Sequence, residues 1–160
     1  NYGPKQHNEK LIPTIIKNAI EFKNIPIYGD GLNIRDWLYV KDHCRGIYIA
    51  FHKGLSGEVY NIGGKNEKTN LQIVNKICDL LDSKYPIKDN KRAKNSMKLN
   101  SYNQLITFVK DRAGHDKRYA IDASKIENTL GWNAIENFDS GIVKTIDWYL
   151  EKYIIWKFQL

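Results

Sequence analysis

The sequence contains little cysteine and no long apolar run, and both scarcities restrict the class of protein. Its two cysteines, Cys44 and Cys78, fall on predicted helices without a metal-type spacing, which favours buried thiols of a reducing cytoplasm over a disulfide. No apolar run approaches the length that crosses a bilayer, and no charged and then apolar leader opens the chain. We therefore expect a cytoplasmic protein without a membrane partner.

A dinucleotide-binding fingerprint and a metal-ligand cluster are also missing. The glycine pair Gly63-Gly64 lies outside any G-x-G-x-x-G spacing. Three histidines share no metal-like arrangement with acids or cysteines, so no metal is assigned to His7, His43 and His52. The first residue is Asn1 rather than methionine, within a loop-like stretch, and we expect the chain to be a piece of a longer protein.

Size and composition indicate one folded domain whose positive charge is concentrated in a single segment. The chain has 160 residues, of which 42% are hydrophobic, and this excludes a disordered composition. Most of its net charge of +7 comes from residues 84–98, where six basic residues stand against Asp89. That stretch has no aromatic residue after Tyr85, so we interpret residues 84–101 as a solvated Lys/Asn-rich insertion rather than a nucleic-acid site.

Hydrophobic periodicity predicts helices that alternate with short strands. The predicted helices cover residues 9–22, 42–53 with Asp42 as N-cap, a segment capped by Thr69 or Asn70, 122–130 with Asp122 as N-cap, and a last helix starting at Asp139. The predicted strands cover residues 25–28, 34–40, 59–62, 105–109 and 119–121. These strands are too few for a complete doubly wound sheet, so the pattern indicates an α/β part-domain.

The segment from Asp111 to Asp122 concentrates the chemistry of the chain. It places Arg112, His115, Lys117 and Arg118 within seven residues of one another, beside a glycine that allows backbone to approach a ligand. Arginine offers a planar fork of donors that suits phosphate oxygens, and histidine can add another donor. The loop is a candidate diphosphate clamp, and the alternative is an ordinary solvated charged turn.

Several other segments carry a resemblance when they are taken together with this loop. They are NYGP at 1–4, EKLIP at 9–13, PIYG at 26–29, IRDWLYV at 34–40, YNIGG at 60–64, NEKTN at 66–70, DRAGHDKRYAID at 111–122 and LGW at 130–132. In this order they resemble the C-terminal half of the dTDP-glucose 4,6-dehydratases, which are extended short-chain dehydrogenase/reductases. The RDWLYV run is shared by many nucleotide-sugar enzymes, whereas the run at 111–122 is more specific to this family.

The resemblance implies a fold and an activity. The fold would be α/β: residues 1–160 would form the small mixed α/β substrate-binding domain of an NAD(P)-binding Rossmann-fold enzyme, without the complete Rossmann sheet and without the N-terminal NAD-binding domain. Members are lyases that use NAD to convert dTDP-glucose to dTDP-4-keto-6-deoxyglucose and water, for bacterial deoxysugars such as dTDP-rhamnose and for lipopolysaccharide O-antigen. The Tyr-x-x-x-Lys pair and the glycine-rich loop of that reaction belong to the preceding half. The chain is therefore expected to be inactive alone, and the whole enzyme to be a homodimer.

The resemblance also implies the site residues, none of them catalytic. Asn1 would lie at the edge of the NAD site. The substrate-binding residues would be Lys10, Leu11, Pro26, Ile27, Tyr28, Arg35, Asn70, Asp111, Arg112, Ala113, Gly114 and His115. Within this set, Arg35 and Arg112 would hold the diphosphate with His115 as an added donor, and Tyr28 would meet the thymine.

Each of these roles has a structural alternative. Arg35 could instead pair with Asp36 or Asp42, Asn70 could serve only as a helix cap, and Tyr28 and His115 could be ordinary packing and turn residues. Ala113 replaces the usual proline of the family. Trp37, Tyr39 and Trp132 are interpreted as packing residues, and the apolar tail at 154–158 is expected to pack against another element. For the protein as a whole, the alternatives are a related UDP-sugar epimerase or decarboxylase, or a non-enzymatic basic nucleotide- or RNA-binding module.

Overall fold

The computed structural model of the chain describes residues 1–93, 99–111 and 113–155. Helices and short strands alternate along it. The helices are α1 (Leu11–Ile20), α2 (Val40–Lys53), α3 (Asn70–Lys84), α4 (Ser124–Leu130) and α5 (Phe138–Leu150), and a π-helical turn at Glu151–Ile155 continues α5. The strands are β1 (Ile25–Tyr28), β2 (Ile34–Asp36), β3 (Glu67–Thr69), β4 (Ile106–Val109) and β5 (Arg118–Tyr119).

The strands form two small sheets. In the first, β1 pairs in parallel with β4, in a register that sets Ile25 opposite Ile106. In the second, β2 is central: it runs antiparallel to β3 and parallel to β5. This architecture confirms the prediction of a small mixed α/β unit without the complete Rossmann sheet.

The core forms where the apolar stripes of three helices meet. Residues three or four apart on α1 and α3 are fully buried and pack with α5, so the predicted helical periodicity is confirmed for both helices. The main contributors are Ile12, Ile15, Ile16, Val74, Ile77, Leu81, Ile142 and Ile146. A smaller cluster of Leu38, Ala123, Ile126 and Trp132 lies between α2 and α4.

Two predicted N-caps are wrong. The structure starts α2 at Val40, two residues before Asp42, and the buried carboxylate of Asp42 accepts bonds from Arg45 and from the backbone of Glu136 instead of capping the helix. For α4, Ala123 rather than Asp122 is the N-cap, although the carboxylate of Asp122 accepts the Ser124 N–H at 2.9 Å from one residue earlier. Helix α5 starts at Phe138, one residue before the predicted start, and Asn137 is its N-cap. Asp42 fails as an N-cap because contacts with Arg45 and with a distant part of the chain occupy its carboxylate.

Two predicted strands also need correction. The segment 34–40 is a strand only to Asp36, because Trp37, Leu38 and Tyr39 are all buried rather than alternating and the chain then turns into α2. Residues 59–62 are all described and form no strand, and Val59 is 75% exposed. The third difference is minor, since β5 is Arg118–Tyr119 rather than 119–121.

The described part of the Lys/Asn-rich segment is attached to the core. Short 3-10 turns follow α3 at Ile87–Asp89 and Lys91–Ala93, and between them Asn90 is buried. Its side-chain N–H donates to the carbonyl of Ile20 at 3.1 Å and to the hydroxyl of Tyr102 at 3.2 Å. The prediction of a wholly solvated insertion is therefore wrong at Asn90, and residues 94–98 lie outside the described residues.

Alkaline pH is expected to destabilise the fold through Cys78, which faces the core from α3. Burial raises the pKa of its thiol to about 12. Well below the unfolded pKa of 9.0, both the folded and unfolded states keep the thiol protonated. As pH rises through 9.0 toward 12, the unfolded state ionises first, so stability falls. In thermal unfolding, Cys78→Ala should flatten the decline of Tm between pH 9 and 10, whereas exposed Cys44→Ala should leave it unchanged. An equal slope for all three proteins would contradict this assignment.

Within the described ranges, no helix is long and apolar enough to cross a membrane. The same residues contain no group of three or more His, Cys, Asp or Glu side chains that could hold a metal ion. Both cysteines are free thiols, with Cys44 exposed and Cys78 buried.

Candidate functional site

A cavity of about 750 Å³ lies among the N-terminal loop, α1, β1, β2 and the segment before β5. This volume is within the range of small-molecule sites. Segments that are distant in sequence supply its wall. Of the residues proposed from the sequence, those on the wall are Asn1, Lys10, Leu11, Pro26, Tyr28, Arg35, Asn70 and His115.

The other proposed residues do not form the wall. In β1 the side chains alternate, so Pro26 and Tyr28 face the cavity while Ile27 points into the core and is 1% exposed. The structure therefore does not give the Ile27 side chain a ligand contact. Asp111, Ala113 and Gly114 also lie off the wall, and Arg112 lies outside the described residues.

Arg35 connects the cavity to the loop that precedes β5. Its guanidinium donates to the carbonyl of Ile34 at 2.7 Å and to the carbonyl of Asp116 at 2.8 Å. Asn33 donates to the same Asp116 carbonyl at 3.3 Å, so β2 fixes the position of this loop. A guanidinium carries more N–H donors than these two bonds use, which leaves it capacity to bind an anion.

The acids that could have paired with Arg35 are bound elsewhere. The carboxylate of Asp36 accepts the backbone N–H groups of Gly64 and Asn66, each at 2.8 Å. Asp42 pairs with Arg45 at 3.1 Å. Asp36 thus orders the glycine turn at the cavity wall, and a side chain at Gly63 would come within 2.9 Å of its carboxylate.

His115 is oriented by a carboxylate that itself stays off the wall. Its Nδ1 lies 2.7 Å from Oδ1 of Asp111, and its side chain is only 11% exposed. Asp111 in turn sits against Gly29, where an added Cβ would lie 3.0 Å from Oδ2. Gly29 has a φ of +59°, so the turn after β1 requires glycine both for its conformation and for this close approach.

The capping alternative for Asn70 is not what the structure shows. Thr69 is the N-cap of α3, and it forms a reciprocal capping box with Gln72. Asn70 is the first helical residue, and its backbone N–H donates to the carbonyl of Asn33. Its side chain is therefore available to the cavity wall, where it lies.

The cavity wall carries charged side chains of both signs. Lys10, Arg35 and His115 bring cationic or protonatable groups to the cavity, against the carboxylates of Glu9 and Asp36. The Asp36 charge is already stabilised by two backbone N–H groups. The wall thus offers donors to an anionic group at Lys10 and Arg35.

Sequence reasoning missed part of the wall. The missed residues mostly adjoin the motifs already noted: Gln6, Glu9, Thr14, Asp36, Trp37, Leu38, Ile62, Gly63, Tyr119 and Ile121. The sequence predicts Trp37 as a packing residue. It packs in the core, where it is 9% exposed, and it also borders the cavity. The motifs IRDWLYV at 34–40 and YNIGG at 60–64 were available signals for Trp37 and Gly63.

Comparison with known proteins identifies the family. The sequence matches the profile of the GDP-mannose 4,6 dehydratase family over residues 1–145. The chain belongs to this family. A probable dTDP-glucose 4,6-dehydratase of Sinorhizobium fredii is 53% identical over 157 residues, which are 98% of this chain and 42% of that protein.

Solved structures agree with this membership in the GDP-mannose 4,6 dehydratase family. A dTDP-glucose 4,6-dehydratase of Bacillus anthracis, solved in complex with NAD, has a TM-score of 0.78 and 46% identity, over 98% of this chain and 43% of that one. A UDP-glucuronic acid 4-epimerase of Bacillus cereus has a TM-score of 0.72 and 29% identity, over 95% of this chain and 43% of that one. The resemblance to the C-terminal part of dTDP-glucose 4,6-dehydratases, with their extended short-chain dehydrogenase/reductase fold, is confirmed. The chain spans about two fifths of the length of the curated relatives it matches.

Proposed function

We propose that this chain is the nucleotide-sugar-binding portion of a dTDP-glucose 4,6-dehydratase. The observation that carries the proposal is the single cavity onto which Lys10, Tyr28, Arg35, Asn70 and His115 converge. In this assignment Arg35 and His115, with Arg112 from the same loop, bind the diphosphate, and Tyr28 meets the thymine. The higher identity to dTDP-glucose dehydratases than to the UDP-sugar epimerase favours this assignment over an epimerase or decarboxylase.

The whole enzyme would be an NAD-dependent lyase that forms dTDP-4-keto-6-deoxyglucose and water. When bound, NAD supplies the hydride that is taken from the sugar and returned to it. From this chain, Asn1 would face it at the cavity edge, where its carbonyl accepts the Gln6 side chain at 2.6 Å. The remaining NAD contacts and the catalytic groups would come from an N-terminal Rossmann domain, in a homodimer that serves deoxysugar synthesis for bacterial surface polysaccharides. Two free thiols support a reducing, cytoplasmic location.

The test is calorimetric titration of dTDP, UDP and a DNA oligonucleotide into this chain. The same titrations are made with a chimera in which the chain replaces the matched region of the Sinorhizobium fredii relative. We expect a preference for dTDP, together with conversion of dTDP-glucose by the chimera. A steep loss of affinity with salt and equal binding of the oligonucleotide would instead support the basic nucleic-acid-binding alternative. No dTDP preference in either protein would contradict the proposal.

Asp111 is expected to act on ligand binding through His115 rather than by contact. Asp111→Asn keeps a hydrogen-bonding side chain but replaces the carboxylate that orients the His115 ring at 2.7 Å, so dTDP affinity should fall about 5- to 10-fold. In a His115→Gln background the same change should have almost no effect. Calorimetry with dTDP checks this, and additive losses in the double variant would show that Asp111 acts independently of His115.

A further inference from the structure

Three segments of the cavity wall meet at Asn33, a residue that itself lies off the wall. Asn33 comes directly before β2 and is 7% exposed. Its carbonyl accepts the Asn70 N–H at 3.1 Å, and its side-chain N–H donates to the Asp116 carbonyl at 3.3 Å. Arg35 follows in β2, and His115 adjoins Asp116 in sequence. Asn33 therefore contacts or adjoins the elements that bring Asn70, Arg35 and His115 to one cavity.

The backbone of the turn before β2 holds the start of α3. The first N–H groups of a helix have no acceptor within the helix itself. Here the N–H groups of Asn70 and Leu71 donate to the carbonyls of Asn33 and Gly31, at 3.1 Å and 2.9 Å. These bonds use only the backbone of Asn33. A change of the Asn33 side chain therefore leaves them in place and tests the bond to the Asp116 carbonyl.

The Asp116 carbonyl accepts two side-chain donors at once. The Arg35 guanidinium lies at 2.8 Å and the Asn33 amide at 3.3 Å, and a carbonyl oxygen has a lone pair for each. The Arg35 bond is the stronger of the two, because it is shorter and its donor is charged. A phosphate oxygen is charged as well, so a diphosphate in the cavity would compete with this neutral carbonyl for the guanidinium. The Asn33 bond remains when Arg35 turns to the diphosphate.

We propose that Asn33 is a positioning residue, which holds the loop that carries His115 while Arg35 binds the diphosphate. An amide suits this role because it donates to the carbonyl without bringing a negative charge near the phosphates. Through its backbone, the same residue keeps that loop in register with Asn70 at the start of α3. The inference rests on the proposed function, because it takes the ligand to be a nucleoside diphosphate.

The experiment compares Asn33→Ala with Asn90→Ala in the chimera with the Sinorhizobium fredii relative. Asn90 is the matched control: it is 2% exposed, and its side chain donates to the Ile20 carbonyl at 3.1 Å away from the cavity wall. In calorimetry, Asn33→Ala should weaken dTDP binding about 5-fold and thymidine binding less than about 2-fold, because only the diphosphate engages Arg35. Asn90→Ala should lower Tm and change neither affinity.

Turnover of dTDP-glucose by the chimera gives a readout that loss of stability alone would not move. Asn33→Ala should raise KM about 5-fold and leave kcat within about 2-fold, because Asn33 affects binding of the diphosphate rather than the reacting sugar. Asn33→Ser should behave in the same way, since serine is also suited to a turn and is too short to reach the Asp116 carbonyl. It provides the test if the alanine variant fails to fold.

The hold on the loop can be measured without any ligand. The ring-proton NMR signals of His115, assigned by their loss in His115→Gln, report on this loop in the chain itself. Asn33→Ala alone should change them little, because Arg35 still holds the Asp116 carbonyl. The same change in an Arg35→Ala background removes both donors and should broaden them.

The outcomes separate this inference from the proposed function. A chimera that prefers dTDP, but in which Asn33→Ala weakens dTDP and thymidine equally or no more than Asn90→Ala does, would overturn the role of Asn33 and leave the function standing. Unchanged His115 signals in the double variant would also overturn it. Broadening confined to the double variant, in a chimera without a dTDP preference, would support the shared hold on the loop and count against the proposed function.

Discussion

Asp42→Ala is expected to lower the free energy of unfolding by about 3 kcal/mol. The Asp42 side chain is 4% exposed, and its carboxylate accepts from Arg45 at 3.1 Å and from the Glu136 N–H at 2.8 Å. Alanine would leave the Glu136 amide without its acceptor, and Arg45 would keep only the carbonyl of Asn133. The estimate is at the lower end for a broken buried pair because the Arg45 side chain is 33% exposed and can recover some hydration.

Trp132 connects the Asp42–Arg45 pair on α2 to the segment that follows α4. Its indole N–H donates to the Asp42 carbonyl at 3.2 Å, and the Arg45 guanidinium lies 5.9 Å from its ring centroid. Displacement of Arg45 would therefore loosen the packing of α2 on the segment that follows α4.

Urea unfolding of three variants checks the prediction. Asp42→Asn keeps an acceptor for the Glu136 N–H and should lose less than half as much stability as Asp42→Ala. Asp139→Ala removes an exposed partner of Lys76, whose side chain is also exposed, and should change stability by about 0.5 kcal/mol or less. Equal losses for Asp42→Ala and Asp139→Ala would show that burial of Asp42 contributes nothing.

The helices could be predicted from the sequence because their signal is local and repeated. Apolar residues on α1 and α3 recur over several turns, so one error does not move the helix. Gly131, with a φ of +66°, ends α4 as its position predicts. An N-cap depends on a single contact and has no repeated signal in the sequence. The capping prediction for Asp42 was wrong because its carboxylate binds the backbone of Glu136, which is 94 residues away.

The strands were less predictable because pairing is not local. Residues 34–40 and 59–62 both have strand composition, yet only Ile34–Asp36 finds partners within the described chain, namely β3 and β5. No local pattern distinguishes a strand-like segment with a partner from one without. Register and burial across the sheet decide which residues pair.

The site was predictable only to the extent that a family resemblance supplied it. Spacing alone indicated the basic loop and nothing of its relation to Lys10 or Asn70, which lie 60 residues apart and reach one cavity. The alternation of β1 could have separated Tyr28 from Ile27 without any structure. The position of Asp111 off the wall could not have been found, because it depends on the fold of the loop that sets its carboxylate against Gly29 and 2.7 Å from His115.

Arg35→Ala is expected to weaken dTDP binding about 100-fold, which corresponds to about 2.7 kcal/mol. Two losses combine in this variant. The diphosphate loses charge-assisted bonds, each worth about 1.5–3 kcal/mol. The loop before β5 also loses the bond to the Asp116 carbonyl at 2.8 Å, and with it part of the fixed geometry that presents His115. Binding of a diphosphate then carries the additional entropic cost of ordering that loop.

Arg35→Lys separates charge from geometry. Lysine restores the positive charge without the planar fork, so it should recover only part of the affinity, giving a loss of about 10-fold. The control is Arg118→Ala, which removes the same charge from an exposed residue of β5 that pairs at 2.7 Å with Glu67 on β3, the opposite edge strand of the sheet. That variant should bind dTDP as the parent does when titrated at 0.15 M salt. If Arg35→Ala and Arg118→Ala lost affinity equally, overall positive charge rather than the arrangement at Arg35 would account for binding, because only Arg35 lies on the cavity wall among the described arginines.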